Sequence, residues 1–157
     1  MDRLPILAQR RIEAAFAKGV YEEMKATFGE TTAKNILTNA VVKMARATGA
    51  EMAREAPDGR PNLENFRAIL PRWVAEDALR IEVLDSTPEK LDFNVTRCRY
   101  AEMYREMGIP ELGAILSCNR DGAFCDGYDP HVKLTRTQTL MDGATHCDFR
   151  YRRQGSG

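Results

Sequence analysis

The sequence predicts a single α+β domain, with an N-terminal helical hairpin followed by a four-stranded, mainly antiparallel sheet packed with helices. Three observations predict it. Apolar residues recur at three- and four-residue spacing through the first third of the chain; apolar and polar residues then alternate in four short runs; and turn chemistry joins those runs in pairs. A chain of 157 residues buries one core and is short for two. The expected division is residues 1–57 for the hairpin, 58–152 for an α+β core that carries the site, and 153–157 for a flexible tail.

Each element has its own signal. From Pro5 to about Phe28, Ile12, Phe16, Val20 and Met24 form a helical stripe, and Gly29 is placed to end the helix. Ala33, Ile36, Leu37, Ala40, Val41, Met44 and Ala47 form a second stripe, broken at Pro57-Asp58-Gly59, and the two stripes are expected to pair. Gly49 interrupts that second pattern. Asn62 is a candidate cap for a helix from Leu63 to Leu70 that stops near Pro71, and Trp73 is expected in the core or an interface. Leu79, Ile81 and Val83, then Leu91, Phe93 and Val95, alternate with polar neighbours around the turn-forming DSTPEK, which predicts a β-hairpin. A short helix from Arg99 to Met107 and a longer one from about Glu111 toward Asp126 follow. VKLTRTQTL and THCDFRY then read as two strands joined around Asp142-Gly143.

Composition narrows the function. The 23 basic and 23 acidic side chains cancel, so overall charge gives no reason to expect a nucleic-acid or membrane partner. No apolar run approaches the ~20 residues that span a bilayer, and the N-terminus lacks the order of a signal peptide, so the expected compartment is the cytoplasm. Cys98, Cys118, Cys125 and Cys147 are then expected as free thiols, and with no CxxC pair a zinc site is weakly supported. The broad stripes of the two long helices lead us to expect a homodimer.

The last third of the chain holds all four cysteines and both histidines. On the Glu111 helix, Cys118, Asp121 and Cys125 share a face, either as a reactive surface or as small core residues beside a solvated charge. Arg97 and Arg136 share strand parity with apolar residues, so each needs an anion: an internal carboxylate such as Asp121 or Asp148, or the carboxylate of a ligand. In the last strand Cys147, Phe149 and Tyr151 face one way and His146, Asp148 and Arg150 the other, which disfavours an adjacent Cys-His dyad. His131 is expected to be solvated. Nothing supports a Ser-His-Asp arrangement.

With these residues laid out, NVTRCRYAEMYREMGIPELG, LSCNRD, KLTRTQTLMDG and CDFRY resemble the L-2-amino-thiazoline-4-carboxylate hydrolase family over about the last 60 residues, while the N-terminal helices resemble it in pattern. The resemblance implies hydrolytic opening of a small cyclic amidine to an N-carbamoyl amino acid, in the namesake case N-carbamoyl-cysteine, on a route to cysteine. A more distant resemblance is to vinyl-reductase-type small-molecule-binding domains. Some of those hold zinc at positions that look like Arg136, Thr139 and Cys147 here, a departure that argues against a metal. A non-catalytic small-molecule sensor is therefore the alternative function.

For hydrolysis, Cys118 is one candidate nucleophile, with its thiolate favoured by a nearby arginine; an Asp121-activated water is the other. Arg97 or Arg136 would hold the substrate carboxylate, and Asn94, Thr137 and Thr139 would supply neutral hydrogen bonds. Cys98 and Cys147 would complete the wall. The partner expected at this site is a small-molecule substrate, with no cofactor and no metal.

Overall fold

The computed structural model describes residues 3–154. Its helices α1 (Ile6–Phe28) and α2 (Glu30–Arg54) form the expected hairpin. Gly29 makes the turn at φ 87°, a left-handed conformation that glycine adopts without a Cβ penalty, and its N–H closes α1 on the Lys25 carbonyl at 2.9 Å. Short helices α3 (Leu63–Ile69) and α4 (Pro71–Val74) follow. Asn62 caps α3 as expected, its side chain accepting from the Asn65 N–H at 2.8 Å, a contact typically worth ~1 kcal/mol. Pro71 both stops α3 and opens α4, where its missing N–H costs nothing.

Strands β1 (Leu79–Thr87) and β2 (Lys90–Cys98) form the hairpin. Helices α5 (Arg99–Glu106) and α6 (Pro110–Gly113) lead into a π-helical turn at Ala114–Cys118, which continues as α7 (Asn119–Tyr128). Strands β3 (Val132–Thr135) and β4 (Cys147–Arg153) complete an antiparallel sheet of order β1-β2-β4-β3. Arg153 belongs to β4; of the tail expected at 153–157, residues 155–157 lie outside the described residues.

Two clusters make the core. In one, Leu91, Phe93, Val95, Cys147, Phe149 and Tyr151 from one sheet face meet Phe66 of α3 and Phe124, Cys125 and Tyr128 of α7. The other packs Ala14 and Tyr21 of α1 and Val41 of α2 against Tyr104, Leu112 and Leu116. Trp73, Leu79 and Cys98 touch both clusters and so mark the seam between them. Gly49 is explained here. A Cβ at Gly49 would lie 2.2 Å from the Phe124 carbonyl oxygen, and one at Gly127 would lie 2.0 Å from that of Arg46, so reciprocal glycines let α2 and α7 approach backbone to backbone.

Three expectations are corrected. The stripe Ile12, Phe16 and Val20 does not pair α1 with α2: these side chains are 61%, 77% and 39% exposed, and the buried face runs instead through Ile6, Ala14 and Tyr21. That face shares one apolar core with Ala33 and Val41 of α2, so it is the one that meets the second helix. Ile36 and Met44 of α2 are likewise exposed. Val83 is exposed on the edge strand β1, whose ladder with β2 shifts register between Val83 and Asp85. Finally, the strand expected through Leu140 ends at Thr135, because the Asp148 carboxylate takes the backbone N–H groups of Thr137 at 2.8 Å and Gln138 at 3.0 Å, and also the Thr137 hydroxyl. A side chain here replaces the ladder. The β3–β4 connection is consequently a loop over 136–146, turned at Thr139–Gly143, where Gly143 has φ 95°.

Candidate functional site

A two-chambered cavity lies at the seam. The first chamber, about 90 Å³, is walled by aromatic side chains that include Phe66, Trp73, Phe93, Phe124, Phe149 and Tyr151. The second, about 70 Å³, is lined by Cys98, Cys118, Cys147, Ser117, Tyr100 and Arg136. Arg10, Arg120, Asp121, Trp73, Leu79 and Phe149 line both, so the chambers meet at a charged junction. An apolar enclosure with a few convergent polar groups is the usual form of a small-molecule site.

Local structure delivers each group. The π-helical turn holds Ser117 and Cys118 at the cavity and precedes Asp121 on the first turn of α7; such turns recur at functional sites. The Ser117 hydroxyl shares a 2.6 Å hydrogen bond with Tyr104. Arg136, in the loop after β3, donates from Nη1 to Asp121 Oδ2 at 2.6 Å and from Nη2 to the Cys118 carbonyl at 3.2 Å, while its guanidinium lies 5.0 Å from the Phe149 ring centroid. Asp148 fixes the next two residues of that loop and so holds Arg136 in place.

Arg10 of α1 and Arg120 of α7 are site residues that the sequence reading misses. Both donate to the same oxygen of Glu13, at 3.0 and 3.3 Å, and each side chain is 15% exposed. Arg120 Nε also donates to the Leu116 carbonyl at 2.6 Å. Three guanidiniums here face two carboxylates, Glu13 and Asp121, which leaves one positive charge uncompensated at the cavity. Burial first, and the neighbouring Arg10 second, push Arg120 below its ordinary value. The signal for both arginines is helical phase: Arg10 falls between Ile6 and Ala14 on the buried face of α1, and Arg120 falls one turn after Leu116.

Titration preferences follow from enclosure. Burial pushes the Asp121 carboxyl up and the Arg136 ion pair pulls it down, with burial the larger effect. Its side chain keeps 29% of its surface accessible, and it lines both chambers, so that surface opens into the cavity. Cys118 is pushed well above an ordinary thiol by burial and then by Asp121, effects that outweigh Arg136. The arginine expected beside Cys118 is present, yet the thiolate is disfavoured because burial first, and the Asp121 carboxylate second, outweigh it. Burial also raises Cys98, to about 11, and Cys147.

Of the residues singled out from the sequence, Cys98, Cys118, Asp121, Arg136 and Cys147 share the second chamber. The others lie elsewhere. Arg97 pairs with Asp77 and Glu102 at 3.2 and 3.1 Å on another surface, because the β1–β2 register shifts between Arg80 and Ile81 and breaks the parity that Arg97 would share with Phe93 and Val95. Asn94 accepts from Arg150 at 3.0 Å, on the sheet face opposite Phe93 and Val95. Thr137 is exposed and bonded to Asp148, and the Thr139 hydroxyl accepts from the Asp142 N–H at 3.1 Å within the loop turn. Cys125 is buried in the sheet-side core and lines neither chamber. His131 is exposed, as expected. Among the described residues no group of three or more His, Cys, Asp or Glu side chains is arranged to hold a metal ion, and no helix is long and apolar enough to cross a membrane.

Comparison with known proteins adds to this geometry. No curated protein matches the sequence significantly. The crystal structure of the phenol-responsive sensory domain of the transcription activator PoxR with phenol is similar in fold, with 13% identity, a TM-score of 0.55, and coverage of 98% of this chain and 76% of that one. A trafficking protein particle complex subunit 3 from Naegleria fowleri, covalently bound to palmitic acid, has 11% identity and a TM-score of 0.49, with coverage of 94% and 96%. The family model for L-2-amino-thiazoline-4-carboxylic acid hydrolase matches residues 9–151, nearly the whole chain, and the protein therefore belongs to that family.

Proposed function

We propose that this protein hydrolyses a small carboxylated cyclic amidine such as 2-amino-thiazoline-4-carboxylate, giving an N-carbamoyl amino acid. The observation that carries the reading is the junction itself, where a carboxylate of raised basicity lies beside uncompensated guanidinium charge in an apolar enclosure. Arg10 and Arg120 hold the substrate carboxylate, since Arg136 is already committed to Asp121 and Arg97 lies elsewhere.

Asp121 accepts a proton from water as the oxygen bonds to the amidine carbon. The ring C–S bond then breaks with its electron pair going to sulfur. One water proton ends on the ring nitrogen and the other on sulfur, and the water oxygen becomes the urea carbonyl. A carboxylate raised toward neutrality suits both transfers, the second returning through Asp121 as acid. Cys118, protonated at neutral pH, lines the wall with Cys98 and Cys147. Arg136 steadies the ionised form of Asp121 between turnovers.

The test is incubation with 2-amino-thiazoline-4-carboxylate while following free thiol. Thiol release matched by loss of the thiazoline supports the reaction. The competing reading, a binding module without chemistry, is favoured by the aromatic walls of the first chamber; saturable binding with no thiol release would establish it. For the exposed stripe Ile12, Phe16 and Val20 we propose a second copy of this chain as partner. Its four-residue spacing lines one helix face, and the zero net charge sets up no repulsion between copies.

A further inference from the structure

A thiazoline carboxylate occupies the charged junction and the thiol-lined chamber; it leaves the aromatic chamber without a role. That chamber is built for a ring. Phe93 and Phe149 stack at 4.8 Å with a 12° interplanar angle, Trp73 meets Phe124 edge-on at 5.3 Å, and Phe66 and Tyr151 close the wall at 5.0 Å. Ala45 of α2 faces the same space, and the exposed Thr48 beside it lies where the chamber reaches the surface.

The chamber also carries an unpaired polar group. Tyr151 is 3% exposed and lines the chamber, and among the described residues its hydroxyl has no hydrogen-bond partner. The hydroxyl keeps accessible surface and Tyr151 lines the chamber, so an occupant with a polar atom can bond to it there. A purely apolar occupant would cover the hydroxyl without offering it a partner, which is costly. Arg10 and Arg120 border this chamber as well as the other, so a carboxylate on them sits within reach of a ring in the aromatic chamber.

We infer that the physiological substrate is bipartite: a carboxylated head at Arg10, Arg120 and Asp121, and a flat, aromatic or similarly planar apolar substituent, with a polar edge atom, in the chamber bounded by Trp73, Phe93, Phe124, Phe149 and Tyr151. This rests on the proposed carboxylate site at the two arginines and extends the substrate class beyond the unsubstituted thiazoline.

Trp73 is the only tryptophan and borders both chambers, so its fluorescence reports occupancy independently of turnover. Acetate, phenylacetate and 4-hydroxyphenylacetate are titrated against the whole protein. Phenylacetate is expected to bind roughly tenfold or more tightly than acetate, as ring burial in a preformed apolar pocket implies, with 4-hydroxyphenylacetate tighter still. Ala45→Leu, which fills the chamber, should erase most of that advantage, and Tyr151→Phe should remove the preference for the hydroxylated ring. Turnover of 2-amino-thiazoline-4-carboxylate is compared with that of its 5-phenyl derivative, which should have the larger kcat/KM. If the phenyl acids bind as expected but neither thiazoline is hydrolysed, the bipartite site stands and the proposed reaction fails. Equal affinities for acetate and phenylacetate would overturn the inference, whatever the protein does to thiazolines.

Discussion

Arg136 and Asp121 form a partly buried ion pair, 2.6 Å from Nη1 to Oδ2, that joins the loop after β3 to the first turn of α7. Its geometry divides labour between the arginines. Arg136 is consumed by the carboxylate, by the Cys118 carbonyl and by the Phe149 ring, whereas Arg10 and Arg120 share one glutamate between them.

That division predicts how the arginines fail. Replacing Arg120 or Arg10 with Met should raise KM for a carboxylated substrate about 10- to 100-fold, the loss of one charge-assisted hydrogen bond, with a smaller change in kcat. Steady-state kinetics on 2-amino-thiazoline-4-carboxylate and on 2-amino-thiazoline without the carboxylate would check it. The decarboxylated substrate should barely distinguish variant from wild type.

Much of this architecture is legible in the sequence. The Asn62 cap, the Gly29 turn, the DSTPEK hairpin and the alternation of Cys147, Phe149 and Tyr151 each rest on local chemistry, which sequence records directly. Cys118, Asp121 and Arg136 are legible too, because a charge placed in phase with apolar neighbours needs a partner. The misses have a common cause. Ile12, Phe16 and Val20 outrank Ala14 in hydrophobicity, so the louder stripe reads as the buried one and hides Arg10 on the quieter face. Nor can alternation show that Asp148 intercepts the backbone of Thr137 and Gln138, since that competition is tertiary.

What a Cβ would meet gives opposite predictions for different glycines. Gly49→Ala and Gly127→Ala place a methyl group against backbone and should destabilise the protein by ~1–3 kcal/mol, read as lowered thermal midpoints. Gly19, in α1, has nothing within 4 Å of where a Cβ would lie, and should gain ~0.5–1 kcal/mol on substitution by Ala.

Asp148 predicts an acid transition. Partial burial acts to raise its pKa, yet hydrogen bonds from the Thr137 hydroxyl and the Gln138 and Thr137 N–H groups hold it at about 2, below the 3.8 of an ordinary aspartate. Its contribution to stability is therefore present above pH 3.8 and lost as pH falls toward 2. Asp148→Ala should be less stable than wild type at neutral pH, with the difference closing across that window. Denaturant midpoints measured from pH 7 to pH 2 would show it. The variant should also lose turnover, because the loop that positions Arg136 is released.

The proposed dimer predicts a mass of two chains in solution by analytical ultracentrifugation. Phe16→Glu, which puts a charge at the most exposed apolar position of α1, should give a monomer with an unchanged circular dichroism spectrum. A monomeric wild type would remove the second copy as partner.

The central claim is that Asp121 rather than Cys118 drives the chemistry, and kcat/KM against pH for wild type, Cys118→Ala and Asp121→Asn tests it most directly. Since burial raises Asp121, the wild-type acid limb should lie above the ordinary carboxylate value, with activity rising as the group loses its proton. Cys118→Ala should keep that limb and remain within about tenfold of wild type, while Asp121→Asn should fall by ~10²- to 10⁴-fold and lose the limb. A folded but inactive Cys118→Ala alongside an active Asp121→Asn would contradict the account.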